Sequence, residues 1–232
     1  MNPIIEAVKA NFDLSQNIPL KQAFYEALRK TIILSQIPAG SRINEKEFST
    51  ELNISRTPIR HAISRLIDEK LVVQTPKKGT IVKGISAKDA VEIFDIRKAL
   101  DTLATTKAMN KMTESDFAEM EALLNACNDL INDDNNIEKI LANFNQFNNM
   151  IYEKSQMLRL REIVTELQTY LVYFREISIS SLKRRKRALE EHWIIYRSMK
   201  NRDVDQITLI THEHLNHSLD FILKEMDNQS HD

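Results

Sequence analysis

Apolar residues recur at helical spacing through most of this 232-residue chain, and the period changes in one short stretch only. From Pro19 onward, Ala23, Leu28, Ile32 and Ile33, with Phe24 and Tyr25 nearby, predict a first helix that ends before the turn Pro38-Ala39-Gly40. A second, short helix is predicted from Glu45 to Leu52, with Asn44 as its cap and Glu47 at the reciprocal capping position. A third occupies Ser55 to Leu71. Its buried face is Ile59, Ala62, Ile63, Leu66 and Ile67. Ser55 is placed to cap it, and Pro58 falls in the first turn, where its missing N–H is not required. Arg56, Thr57 and Arg60 are left facing outward. After Leu71 the pattern becomes that of two short strands, Val72 to Gln74 and Thr80 to Val82, around a Lys77-Lys78-Gly79 tip. Helix, helix, turn, helix, hairpin is the order of a winged helix-turn-helix.

Ser86, with Asp89 three residues on, opens a second region with no convincing strand and about six predicted helices. They run from Ala87 to Met109 (burying Val91, Phe94, Leu100, Leu103 and Ala104), from the Thr113 cap to Ile131, and from Ile137 to Lys154. The rest run from Met157 to Ile177, Leu182 to Lys200 and Val204 to Met226. The Asn-rich patch Asn132 to Asn149 keeps a helical stripe of Ile140, Leu141, Phe144, Phe147 and Ile151, so an ordered helix is expected there. The fold class expected is mostly α: residues 1–17 a weakly patterned N-terminal arm, 18–84 the winged helix-turn-helix, and 85–232 an antiparallel all-helical bundle.

Composition agrees with this. Only 3 Gly and 5 Pro, with 42% apolar and 28% charged residues, fit a helical protein with few tight turns. The single Cys127 lies on an apolar helical stripe, which points to a buried structural thiol and a reducing, cytoplasmic setting. There is no apolar run of about 18 residues and no basic-then-apolar leader. Net charge is -1, but residues 18–84 carry 12 Lys+Arg against 6 Asp+Glu, a balance of +6, leaving 20 against 27, or -7, elsewhere. Such a chain is drawn to a polyanion through one end.

The run from Ala39 to Val82 closely resembles the DNA-binding module of GntR-family bacterial transcription regulators. The motif elements in register are Arg42 after the turn, the core Ser55-Arg56-Thr57-Pro58-x-Arg60, and Gly79 at the wing tip. His61 departs from the family, which usually carries glutamate there. Arg can pair with a guanine edge, while Thr, Ser and backbone amides at a helix N-terminus hold phosphates. The resemblance implies DNA contacts from Arg42, Ser55, Arg56, Thr57 and Arg60, with Lys78 and Gly79 approaching the minor groove.

Three polar residues fall on predicted core stripes of three different helices: Asn148, His192 and His214. Buried polar groups need partners, so they either converge on one internal cavity or each satisfies a nearby backbone group. Ile93 to Leu100, the stretch from Glu191 to Asp203 and a histidine 22 residues after His192 resemble the FCD effector domain of the FadR subgroup. Many members hold a metal there with an aspartate, a histidine four residues later and two later histidines. His192 and His214 match the later pair, but the earlier pair reads Phe144 and Asn148. An amide oxygen is a weak ligand for zinc or nickel, so tight metal binding is not expected. Any metal would rest on His192 and His214, with Asn148 and water. The preferred reading is a small organic molecule bound directly by Asn148, His192 and His214. Arg97, at a family-typical position, either attracts an acidic effector or forms a salt bridge across helices. His212 and His217 are expected at the surface, and Lys183 to Arg187 as a solvated helix start, the alternative being a contact to DNA backbone or to an acidic patch of the partner subunit.

The function expected is a homodimeric, sequence-specific DNA-binding regulator, a repressor being the commoner mode in the family, reading a palindromic operator under control of an effector. An enzyme is the rival, but there is no HExxH pair, phosphate loop or nucleophile signature. An architectural DNA binder with a self-filled bundle is the third reading.

Overall fold

The computed structural model describes residues 2–12 and 18–230, without the side chains of 169, 171–177, 180 and 228–230. Residues 1 and 13–17 of the expected arm, and 231–232, lie outside the described residues. Two compact units emerge: Met1–Ala87 together with Glu225–Asp232, and Lys88–Lys224.

In the first unit, α1 (Pro3–Ala10) corrects the expectation of a weakly patterned arm. Asn2 caps it by accepting from the Ile4 N–H, Pro3 takes the first helical position, and Ile5 and Val8 are buried. The main core is formed by α2 (Leu20–Ile33), α3 (Glu45–Glu51) and α4 (Arg56–Asp68), which bury Phe24, Leu28, Ile32, Phe48, Ile59 and Leu66. Asn44 caps α3 by accepting from the Lys46 and Glu47 amides. The Glu47 carboxylate accepts from Asn2 Nδ2 at 2.8 Å. Asn53 then adopts φ 52°, a left-handed turn that asparagine tolerates, and so redirects the chain into α4. The wing is a three-stranded antiparallel sheet in the order β1-β3-β2, with β1 at Arg42–Ile43, β2 at Val72–Thr75 and β3 at Gly79–Val82. β1 adds to the expected hairpin by pairing Arg42 with Ile81 and Ile43 with Thr80.

Beyond the wing the described residues are helical: α5 (Ala87–Met109), α6 (Glu114–Leu130), a 3-10 turn at Asp134–Asn136, α7 (Ile137–Ser155), α8 (Leu158–Ser180), α9 (Leu182–Lys200) and α10 (Val204–Ser230). A complete capping box between Thr113 and Asp116 starts α6. α7 runs straight through the Asn-rich patch because Ile140, Phe144, Phe147 and Ile151 all reach the core. Cys127 is fully buried, and burial pushes its thiol pKa up. Val91 and Leu103, expected in the core, are instead exposed, as is Ile67 on α4. Among the described residues no helix is long and apolar enough to cross a membrane.

Candidate DNA interface and effector cavity

On the first unit, Ile59, Ala62, Ile63 and Leu66 hold α4 against the core, which leaves Arg56, Thr57 and Arg60 exposed on its opening turns. Ser55 occupies the N-cap position in extended conformation, but its hydroxyl makes no cap hydrogen bond. The expected Ser55 cap is therefore positional only, and its side chain is exposed beside the α4 N-terminus. Arg60 Nε donates to Glu45 on α3 at 2.8 Å, an exposed pair that costs little to exchange for another anion. Behind this surface Arg65 lies 3.5 Å over the Tyr25 ring, and Tyr25 donates to Glu69. Burial, reinforced by that bond to Glu69, raises the Tyr25 pKa to about 12.

The sheet brings Arg42 and Gly79 together. A Cβ on Gly79 would lie 3.6 Å from Arg42 Nε, so the Arg42 guanidinium lies beside the wing tip. Gly79 has φ 78°, a left-handed conformation that favours glycine, and Lys77 at φ 72° completes the tight turn. Lys78 is exposed at the tip. One unit thus carries a row of guanidinium and ammonium groups on a helix N-terminus and an adjoining wing.

In the second unit a cavity of about 50 Å3 is lined by all four residues singled out from the sequence, Arg97, Asn148, His192 and His214. Its apolar wall includes Phe94, Leu141, Phe144, Ile179, Leu215 and Ile222. Arg97, Asn148, His214 and Leu215 also line an adjoining space of about 20 Å3 with Asp101, Tyr152 and Thr211. The His192 ring is buried, 4.6 Å from Phe144, 4.9 Å from Phe147 and 4.9 Å from His214 between centroids. Arg97 pairs with Asp101 at 2.7 Å along its own helix, and Asp101 also accepts from Tyr152 at 2.9 Å. Burial acts to lower the Arg97 pKa, but Asp101 and Tyr152 outweigh it and raise it. Arg97 therefore does form a salt bridge, but along its own helix rather than across helices as the alternative had it, and it lines the cavity.

Two expectations are corrected here. The basic run on α9 is a solvated helix start only in part: Lys183, Lys186 and Arg187 are exposed, but Arg184 and Arg185 turn inward. Arg185 is fully buried and donates to the Ile131 and Ile179 carbonyls and to Asp134, while Arg184 lines the cavity and donates to Ser218 at 2.8 Å. Nor is His217 a bystander. Glu191, buried, takes His214 Nδ1 at 2.6 Å, His217 Nδ1 at 2.7 Å and Arg184 at 3.3 Å, with Arg187 at 3.4 Å. Burial alone would raise the Glu191 carboxyl pKa, but His214, Arg184 and His217 together hold it at about 2. Burial lowers His214, against the pull of Glu191, so its imidazole is neutral and donates Nδ1–H to the carboxylate.

Sequence reasoning missed Arg184 and Glu191. Arg184 stands four residues before Ala188 and eight before His192, on the same α9 stripe, and that spacing was the available signal. The donor set does not suit a metal ion. Among the described residues no three His, Cys, Asp or Glu side chains are grouped to hold one, His214 Nδ1 is committed to Glu191, and two guanidinium groups share the wall.

A winged reading head joined to a helical bundle with an internal cavity defines a two-domain, DNA-binding transcriptional regulator. The chain belongs to the GntR family of bacterial regulatory proteins, matched over residues 20–82, and carries an FCD domain, matched over residues 92–217. It is 24% identical over 212 residues to the uncharacterized HTH-type transcriptional regulator YdhC of Bacillus subtilis, covering 91% of this chain and 95% of that one. It is also 24% identical over 202 residues to the HTH-type transcriptional repressor RspR of Escherichia coli, covering 87% and 88%. The solved structure of E. coli McbR/YncC shares the fold with a TM-score of 0.65 at 20% identity, over 90% of this chain and 99% of that one.

Proposed function

We propose that this regulator acts as a cytoplasmic homodimer, without enzymatic activity, and represses transcription from a palindromic operator until a small molecule fills the helical-domain cavity. The observation that carries the effector half is the convergence of Arg97, Asn148, His192 and His214, from four helices, on one cavity. Repression follows the printed function of the RspR relative. On the DNA side, Arg56 and Arg60 read base edges, Ser55 and Thr57 hold phosphates at the α4 N-terminus, and Arg42, Lys78 and Gly79 follow the backbone toward the minor groove. Two recognition helices about 34 Å apart in the dimer would meet successive major grooves on one face of the duplex. An effector with different affinities for two dimer geometries shifts this spacing and so the operator affinity.

Selecting genomic fragments retained by the purified protein, with and without a metabolite panel, tests the reading. An inverted-repeat sequence that is enriched without ligand and lost with one metabolite is the expected result. Retention of DNA without sequence preference, unaffected by every metabolite, would leave an architectural binder instead.

A further inference from the structure

The cavity's charge differs from what a metal-holding site would carry, and the difference is physical. Arg97 and Arg184 both line it, with side chains only 4% and 10% exposed. Each has a buried Nε–H with no partner among the described residues. Leaving such a donor unpaired is costly, the more so for a charged group, so both favour an incoming acceptor. No carboxylate stands among the described residues lining this cavity. The nearest acids are already occupied: Asp101 by Arg97 and Tyr152, Glu191 by His214, His217 and two arginines.

We propose that Arg184 supplies the cation of this pocket: its guanidinium and that of Arg97 receive a small monocarboxylate directly, with no metal ion taking part. The proposal deepens the effector reading and rests on it. Charge supports a monoanion, since Arg184 and Arg187 against Glu191 leave one net positive charge and Arg97 with Asp101 leaves none. Size supports a short ligand. About 50 Å3 of space corresponds to roughly four water-sized positions, enough for a carboxylate and a short apolar tail lying on Phe144, Ile179 and Leu215. Arg184 is held for this role from both sides, by Glu191 and by Ser218, so its fork is fixed before a ligand arrives. A metal ion would have to enter beside two guanidinium groups with one imidazole nitrogen already engaged.

The test uses the full-length protein stripped with EDTA, titrated by calorimetry and thermal shift with acetate, propionate, butyrate and benzoate, and with their primary amides. At least one carboxylate is expected to bind saturably in EDTA and raise the melting temperature, while its amide does neither. Arg184→Gln should weaken that binding about ten-fold or more, whereas Lys186→Gln, exposed on the same helix, should leave it within about two-fold. If Arg184→Gln fails to fold, the chelator arm on the unaltered protein decides. Carboxylate binding that appears only after zinc or nickel is added overturns the proposal, as does equal binding of acids and amides, or binding of neither. The effector reading is judged separately, by whether any metabolite changes operator retention.

Discussion

Arg185 has no exposed side-chain surface, yet it belongs to the most basic run of the chain. It links the end of α6, through the Ile131 carbonyl, to the end of α8, through Ile179, and to Asp134 in the 3-10 turn. Removing it leaves two buried carbonyls without a donor. Arg185→Ala is expected to destabilise the helical unit by about 3–5 kcal/mol in urea unfolding, while Lys186→Ala, exposed next door, should stay within about 0.5 kcal/mol. Charge pattern alone could not separate the two, because the partners of Arg185 lie 51 and 54 residues away and no local period encodes them. Arg56, Thr57 and Arg60 were legible for the opposite reason. Their outward position follows from Ile59, Ala62 and Ile63 alone, at a spacing every helix obeys. Arg56→Ala and Arg60→Ala should each cost about 1–3 kcal/mol of operator binding in an anisotropy titration, with the melting temperature unchanged. Unchanged operator affinity in both would place base reading elsewhere.

At the scale of elements, long amphipathic segments with caps were readable, and short or crowded ones were not. The Thr113 and Asp116 box and the αL turn at Asn53 mark boundaries by chemistry visible in four or five residues. β1 is two residues long and exists only because β3 pairs with it, so no periodicity announces it. α1 did leave a signal, Asn2 then Pro3 with Ile5 and Val8 three apart, which a polar-looking terminus concealed. The joint between α9 and α10 rests on Glu191. Its carboxyl is depressed in the folded protein from 4.5 to about 2, so its contribution is complete above pH 4.5 and is lost as pH falls toward 2. His214 acts in the same direction: its folded pKa lies below 6.5, so its contribution begins to fall as pH drops below that value. The helical unit should therefore lose stability progressively from about pH 6.5 downward, with Glu191 responsible for about 3 kcal/mol of the loss. Glu191→Gln should be destabilised at pH 7 and show a flatter acid limb in thermal melts. An unaltered limb would assign the acid sensitivity to other groups.

For the whole molecule, the two-part organisation was evident in a charge balance of +6 over residues 18–84 against -7 elsewhere, and in the change of period after Leu71. The convergence of Asn148, His192 and His214 could also be anticipated, since polar residues on three apolar stripes need common company. The Arg184 that lines the wall beside them, and the Glu191 that holds it, could not, because both look like any exposed charges until α10 is laid across them. A ligand-controlled regulator joins its two units by one quantity, the coupling free energy between ligand and operator. That quantity is measured by titrating the selected operator into the protein with and without the carboxylate that stabilises it. A shift in operator Kd of about 5- to 150-fold, corresponding to about 1–3 kcal/mol, is predicted, with the shift abolished in Arg184→Gln. The same operator Kd at zero and saturating ligand would contradict a ligand-controlled reading head.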